Sequence, residues 1–180
     1  MFRVLSLAVI AALAFSVNAA DLKSGTAEGS KHGGAFQVKA ITGEKKGSEL
    51  CYVCKFGGEK RPGVVLIFTQ KADENLAQVV KSIDAVQKNN DKLGTVVVGV
   101  GGVAAADFEK LQSEHKLTTP LTVALDKDGP KKYNLSKDAG VTVLVYKQGG
   151  VVAKNFAFKD TKEAAQQAAA IAEAAKAVVN

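Results

Sequence analysis

Across 180 residues the chain has no tryptophan, one methionine, three prolines, two histidines and two cysteines. Each shortage narrows the field. Aromatics make up 6% of the chain, and without tryptophan the stacking platforms for single-stranded nucleic acid are missing. The formal charge is +6, but the lysines are scattered among aspartates and glutamates, which reads as a solvated surface and not as a nucleic-acid interface. The serines, acids and two histidines sit in no motif that would make a Ser-His-Asp or paired-carboxylate centre. No apolar run approaches the roughly 20 residues that a membrane-spanning helix needs.

The longest apolar run is the first. Met1-Phe2-Arg3 supplies one positive charge, Val4 to Phe15 is almost unbroken apolar sequence, and Ser16-Val17-Asn18-Ala19-Ala20 supplies small residues before Asp21. This is the pattern of a secretory signal peptide. Residues 1–20 are therefore expected to be removed after Ala19 or Ala20, leaving a secreted or periplasmic product with no membrane span. Loss of Arg3 takes the charge from +6 to +5. About 160 residues remain, enough for one domain with a core that needs no disulfide to hold it. Residues 21–35 carry Gly25, Gly29, Gly33 and Gly34 among small polar residues, the composition of a flexible leader. The domain is expected over 36–180.

Within it, Ala35 to Ile41 alternates apolar and polar residues as a half-buried strand does, closed by a turn at Thr42-Gly43-Glu44. Val64-Val65-Leu66-Ile67-Phe68 is a continuous apolar run suited to a central strand covered on both faces. Leu76, Val79, Val80, Ile83 and Val86 recur at helical spacing. Gly94 to Gly99 is a second buried strand, Ala104 to Lys116 a shorter helix with Phe108 and Leu111 inward, and Leu121 to Leu125 a third strand. Val141–Tyr146 and Val151–Phe156 flank Lys147-Gln148-Gly149-Gly150, whose glycines suit a tight hairpin. A last helix starts from Asp160, an N-cap with Glu163 three residues on. Alternating strands and helices followed by an antiparallel pair and a helix imply an α/β mixed sheet with helices on both faces.

The chemistry of the chain centres on Gly47-Ser48-Glu49-Leu50-Cys51-Tyr52-Val53-Cys54-Lys55-Phe56-Gly57, which holds both cysteines as C-x-x-C. In an oxidising compartment they are expected to be bonded to each other. A C-x-x-C disulfide is short and open to attack by a thiolate, so redox exchange is one reading, with Lys55, Lys60 and Arg61 nearby to favour a thiolate and Glu59 to offset them. A structural bridge that pins this stretch as a loop is the second. Metal binding is the third: the pair supplies half of a tetrahedral zinc set, and the only histidines are His32 in the leader and His115 near a helix end, where an imidazolium is mildly favoured. Copper(I) would suit two thiolates, but the only thioether is Met1. Gly99-Val100-Gly101-Gly102-Val103-Ala104, followed by Asp126, matches the dinucleotide pattern G-x-G-x-x-A. Too little chain follows for the second half of such a fold, so it reads as a strand-to-helix loop, and no cofactor is expected.

The run Leu125-Asp126-Lys127-Asp128-Gly129-Pro130-Lys131-Lys132-Tyr133-Asn134-Leu135, then Val141–Tyr146 and Gly149-Gly150-Val151-Val152, resembles the second half of thioredoxin-fold proteins, in particular their exported redoxin and peroxiredoxin-like branch. The likeness covers Phe36 to Val178. It implies a thioredoxin-like three-layer sandwich, thiol-disulfide exchange with protein thiols or disulfides of a partner, and Cys51 as the nucleophile of the pair. Two departures stand out. In the family the reactive cysteine follows the first central strand at the head of the next helix; here those positions are Thr69-Gln70-Lys71-Ala72-Asp73-Glu74. The family's proline before the hairpin would fall at Gly140 or Val141, and a cis peptide without proline costs about 3 kcal/mol, so a trans bond is expected. The pair precedes the strand Val64–Phe68, about 17 Å long at about 3.3 Å per residue. Lys55 to Arg61 could stretch about 23 Å at most. The pair is thus expected near the opposite end of the sheet from the family's site, with a non-catalytic binding module held by a structural disulfide as the alternative function.

Overall fold

A computed structural model describes residues 22–180. The segment read as a signal peptide, with its cleavage point, lies outside the described residues. The elements are β1 (Val38–Ala40), β2 (Glu49–Leu50), α1 (Tyr52–Gly58), β3 (Gly63–Thr69), α2 (Glu74–Asn89), β4 (Leu93–Gly99), α3 (Ala105–His115), β5 (Leu121–Ala124), β6 (Val141–Lys147), β7 (Val152–Phe158), α4 (Thr161–Gln166) and α5 (Ala168–Ala177), with a 3-10 turn at Lys131–Tyr133.

The continuous apolar runs become the middle of one seven-stranded sheet ordered β2-β1-β5-β4-β3-β6-β7. Every residue of β3 and β4 is buried, as strands covered on both faces require. β3, β4 and β5 are parallel, and β6 returns antiparallel on the other side of β3. The crossovers β3-α2-β4 and β4-α3-β5 step the same way along the sheet, so right-handed connection puts both helices on one face. That face holds the larger core, where Val65, Ile67 and Val97 meet Leu76, Val80 and Ile83 of α2, Phe108 of α3 and Ile171 of α5. The other face packs Leu66, Phe68, Val96, Val98 and Leu144 beneath Tyr52 and Phe56 of α1 and Tyr133. The layers are helix, mixed sheet, helix, as expected.

Three local expectations change. The leader is not a free tether: Ser24 and Thr26 are buried, and the chain from Ser24 to Gly34 lies along the β6–β7 side of the sheet. Ser24 Oγ is 2.7 Å from Thr142 Oγ1, Asn155 Nδ2 donates to the carbonyls of Ser24 (3.0 Å) and Thr26 (3.1 Å), and Val152 N–H donates to Ser30 O (2.9 Å). Small residues dock it through their backbone, which composition cannot report. Gly33 shows why size matters, since a Cβ there would stand 2.5 Å from Tyr133 Cδ2 and 2.6 Å from Lys132 O. The cysteine stretch, read as a loop, is an edge strand and a helix. The C-terminal helix is two pieces, broken at Gln167. Asp160 caps its start as expected, accepting from Glu163 N–H at 2.8 Å.

Candidate redox site

Cys51 ends β2 and begins α1. Its backbone is extended (φ −105°, ψ 103°), and its Sγ accepts the Cys54 N–H at 3.1 Å, the position a serine or aspartate cap usually fills. Cys51 and Cys54 form a disulfide with Cα atoms 5.2 Å apart, within the ordinary range. Cys51 is half-buried and Cys54 exposed.

What holds the pair in place is the underside of α1. Tyr52 and Phe56, four residues apart, lie on one side of the helix. Their ring centroids are 5.7 Å apart, and both residues are buried. Phe56 sits over Gly94 near the start of β4, where even a methyl would come within 2.9 Å of the ring. Burial raises the Tyr52 phenol's pKa, with Glu44 adding to the effect. At the far end of α1, Glu59 accepts from Lys55 and from Arg61 (2.8 Å), while Arg61 also donates to Asp91 O. The hydrogen bond from Lys55 and then that from Arg61 hold the Glu59 carboxyl below its usual range. Two of the three cations near the cysteines are thus engaged with Glu59, and the third, Lys60, occupies the left-handed bend after the helix (φ 53°).

The register locates the pair and corrects one expectation. Leu50 pairs with Val38, Val38 with Ala124, and Ala124 follows Val123, which is level with Gly99 and, through it, Thr69. Cys51 therefore leaves the sheet level with the carboxyl ends of the parallel strands, not at their amino ends, and α1 runs back toward β3. The β1–β2 hairpin carries Cys51 there, so the chain distance back from Val64 does not fix its level. The pair is displaced sideways instead, because four strand spacings separate β2 from β3. That is about 19 Å at about 4.8 Å per spacing.

The head of α2, where the family's thiol would sit, is tied shut by polar side chains. Gln70 Nε2 donates to Lys137 O and Ala139 O, both at 2.9 Å. Asp73 caps α2 through Leu76 N–H (3.1 Å) and accepts Thr161 Oγ1–H at 2.8 Å. Gly140 N–H donates to Lys159 O, and the Gly140–Val141 peptide is trans. Gln70, Asp73 and Thr161 carried no recognisable pattern in the sequence.

Neither histidine joins the cysteines. His32 lies at the β7 side, its ring 4.5 Å from that of Tyr146, its Nδ1 accepting Gly34 N–H at 3.0 Å and facing the Tyr133 hydroxyl at 3.2 Å. His115 lies at the end of α3 beside Lys81. Among the described residues no group of three or more His, Cys, Asp or Glu comes together as a metal would need. In the dinucleotide-like loop, Gly99 makes room for Phe108, whose ring would lie 2.7 Å from a Cβ, and Gly101 and Gly102 turn the chain at positive φ. Asp126 closes its own turn by accepting Asp128 N–H.

The sequence matches no family model and no curated protein. Solved structures do match. A candidate protein disulfide isomerase from Bacteroides thetaiotaomicron is similar over 86% of this chain and 95% of its own, with a TM-score of 0.60 at 18% identity. The thioredoxin domain of a thiol-disulfide oxidoreductase from Bacteroides vulgatus is similar over 79% and 97%, with a TM-score of 0.55 at 15% identity. The peroxidoxin BcpB from Mycobacterium tuberculosis is similar over 85% and 97%, with a TM-score of 0.55 at 16% identity. At these identities the likeness carries the fold, which is thioredoxin-like.

Proposed function

We propose that this protein is exported and exchanges disulfides with protein thiols through Cys51 and Cys54. The observation that carries this reading is the cap geometry, in which Cys54 N–H points at Cys51 Sγ at 3.1 Å. A donor aimed at sulfur favours its thiolate. Cys51 is then the sulfur that attacks a substrate disulfide and carries the mixed disulfide, and Cys54, exposed and three residues on, resolves it. Run from the oxidised form, a substrate thiolate attacks Cys51 Sγ and the Cys54 thiolate leaves. The substrate's second thiolate then attacks its own mixed-disulfide sulfur, and the Cys51 thiolate leaves. Two electrons pass from the substrate dithiol to the pair, and the substrate ends as a disulfide. The fold and the disulfide-exchange neighbours support exchange in general. The apolar stretch at 4–15, with small residues after it, supports export to an oxidising compartment.

A second reading is favoured by the tied-off head of α2: a binding module that keeps the fold without its redox centre, the disulfide pinning the junction of β2 and α1. The reduction potential separates the two. The chain is equilibrated in dithiothreitol or glutathione buffers and the dithiol fraction counted by alkylation and mass. A midpoint above about −300 mV is expected of a working couple; a lower one marks a structural bridge and defeats the redox reading. In the second case Cys51→Ser with Cys54→Ser costs about 2 kcal/mol of stability, the loop-entropy value for a four-residue ring.

A further inference from the structure

The edge beside Cys51 has a feature that the exchange reading does not use. Ala40 N–H donates to Ser48 O at 2.9 Å, and the register pairs Lys39 with Glu49 and Val38 with Leu50. In an antiparallel ladder the inward and outward groups alternate, so Ser48 and Leu50 bond to β1 while the N–H and C=O of Glu49 point away from it. The extended backbone of Cys51 continues that alternation for its own N–H. β2 is the last strand of the sheet, and among the described residues no strand pairs with its outer side. The opposite edge is different, because there the leader lies against β7 and bridges Lys31 to Val151.

We propose that the substrate is an extended, cysteine-bearing polypeptide segment that adds to β2 as an antiparallel strand, with its cysteine opposite Cys51. This deepens the exchange reading and rests on it. The geometry selects the occupant. In such a ladder, residues in a hydrogen-bonded pair stand about 5.5 Å apart at Cα, inside the roughly 4.4–6.8 Å that a disulfide spans. Glu49 and Cys51 both belong to the outward-bonding set. A strand whose cysteine faces Cys51 therefore exchanges both backbone hydrogen bonds with Glu49 through its second residue after the cysteine. Main-chain pairing of this kind asks for an extended segment and little else of its sequence. A folded partner that hides its cysteine in a helix or in a sheet interior does not fit. In the exchange the cysteine of that strand supplies the thiolate that attacks Cys51 Sγ as the Cys54 thiolate leaves.

The test uses the chain with Cys54→Ser, in which Cys51 is the only thiol. The probe is a ten-residue peptide whose cysteine is activated as a thiopyridyl disulfide, and release of thiopyridone reads the attack of Cys51. Three peptides are compared: unmodified, N-methylated at the second residue after the cysteine, and N-methylated at the first. Strand addition expects about a tenfold slowing from the second-residue methyl, as for the loss of one or two hydrogen bonds. It expects little effect from the first-residue methyl, whose N–H points away from β2. Glu49→Pro, which removes an outward N–H and leaves the bonds to β1 in place, slows the unmodified peptide similarly. Dithiodipyridine, which needs no strand, reacts equally with both proteins. Equal rates for all three peptides, with dithiodipyridine reacting briskly, overturn the proposal and leave the exchange reading standing. Failure of dithiodipyridine to react overturns both. A dimer that forms through β2 and excludes the peptide, seen as concentration-dependent sizing lost in Glu49→Pro, gives the edge to a second copy and also overturns it.

Discussion

The position of α1 depends on the contact between Phe56 and Gly94, and a double-mutant cycle tests it. Gly94 lies beneath the Phe56 ring, and an added Cβ would stand 2.9, 3.0 and 3.1 Å from Cγ, Cδ1 and Cδ2. These atoms are the root of the ring, so spinning the ring about its Cβ–Cγ bond cannot clear them, and swinging it away about χ1 would give up its buried place under α1. Gly94→Ala therefore overpacks a well-filled face, at about 1–3 kcal/mol. It also recovers about 0.5–1 kcal/mol by removing a glycine from a strand, so a net loss of about 1–2 kcal/mol is expected. Phe56→Ala alone empties the space under α1 and costs about 3–5 kcal/mol. In that background the Gly94→Ala methyl has room, and the substitution becomes neutral or slightly stabilising. Urea unfolding of the four oxidised proteins measures the cycle, with an expected coupling of at least about 1 kcal/mol. Additivity within about 0.3–0.5 kcal/mol would refute the placement of α1, and with it the cap that aims Cys54 N–H at Cys51.

Two further outcomes are expected. Burial lowers the His32 pKa below its ordinary 6.5, so between that lowered value and 6.5 the unfolded chain binds more protons than the folded one. Stability is then greatest above about pH 6.5 and falls as the pH drops through that window. His32→Gln should flatten the dependence just below pH 6.5, and an unchanged slope assigns it to other groups. Expression of the full chain in a cell with an export route should give a product whose intact mass corresponds to cleavage after Ala19 or Ala20; an uncleaved product retained inside the cell refutes the signal reading.

The sheet was legible because its central strands announce themselves. Val64–Phe68, Val96–Val98 and Val141–Tyr146 are apolar runs with no polar interruption other than threonine, and no arrangement but a covered strand absorbs them so readily. α2 was equally plain from the spacing of Leu76, Val79, Val80 and Ile83. The site was harder to read for physical reasons. α1 is seven residues with two glycines, so its only periodic signal is the pair Tyr52 and Phe56, and its cap is a cysteine. The sideways displacement of the disulfide depends on which strand β1 joins, a pairing between residues 38–40 and 122–124 that no local pattern encodes. The tie at the head of α2 joins Gln70 to Ala139 and Asp73 to Thr161, again across long separations. The leader misled because glycine and serine serve a docked backbone as readily as a loose one.

That docked leader also bears on when the molecule can finish folding. Its anchors lie very late in the chain: Ser24 meets Thr142 across 118 positions and Asn155 across 131. A chain that appears amino end first cannot finish laying down residues 24–34 until the turn around Tyr133 and then β6 and β7 exist. Contacts of such high order carry a large closure cost and form slowly. The segment is thus among the first parts of the described chain to be made and among the last to find its place, so the amino end stays undocked until most of the chain is present.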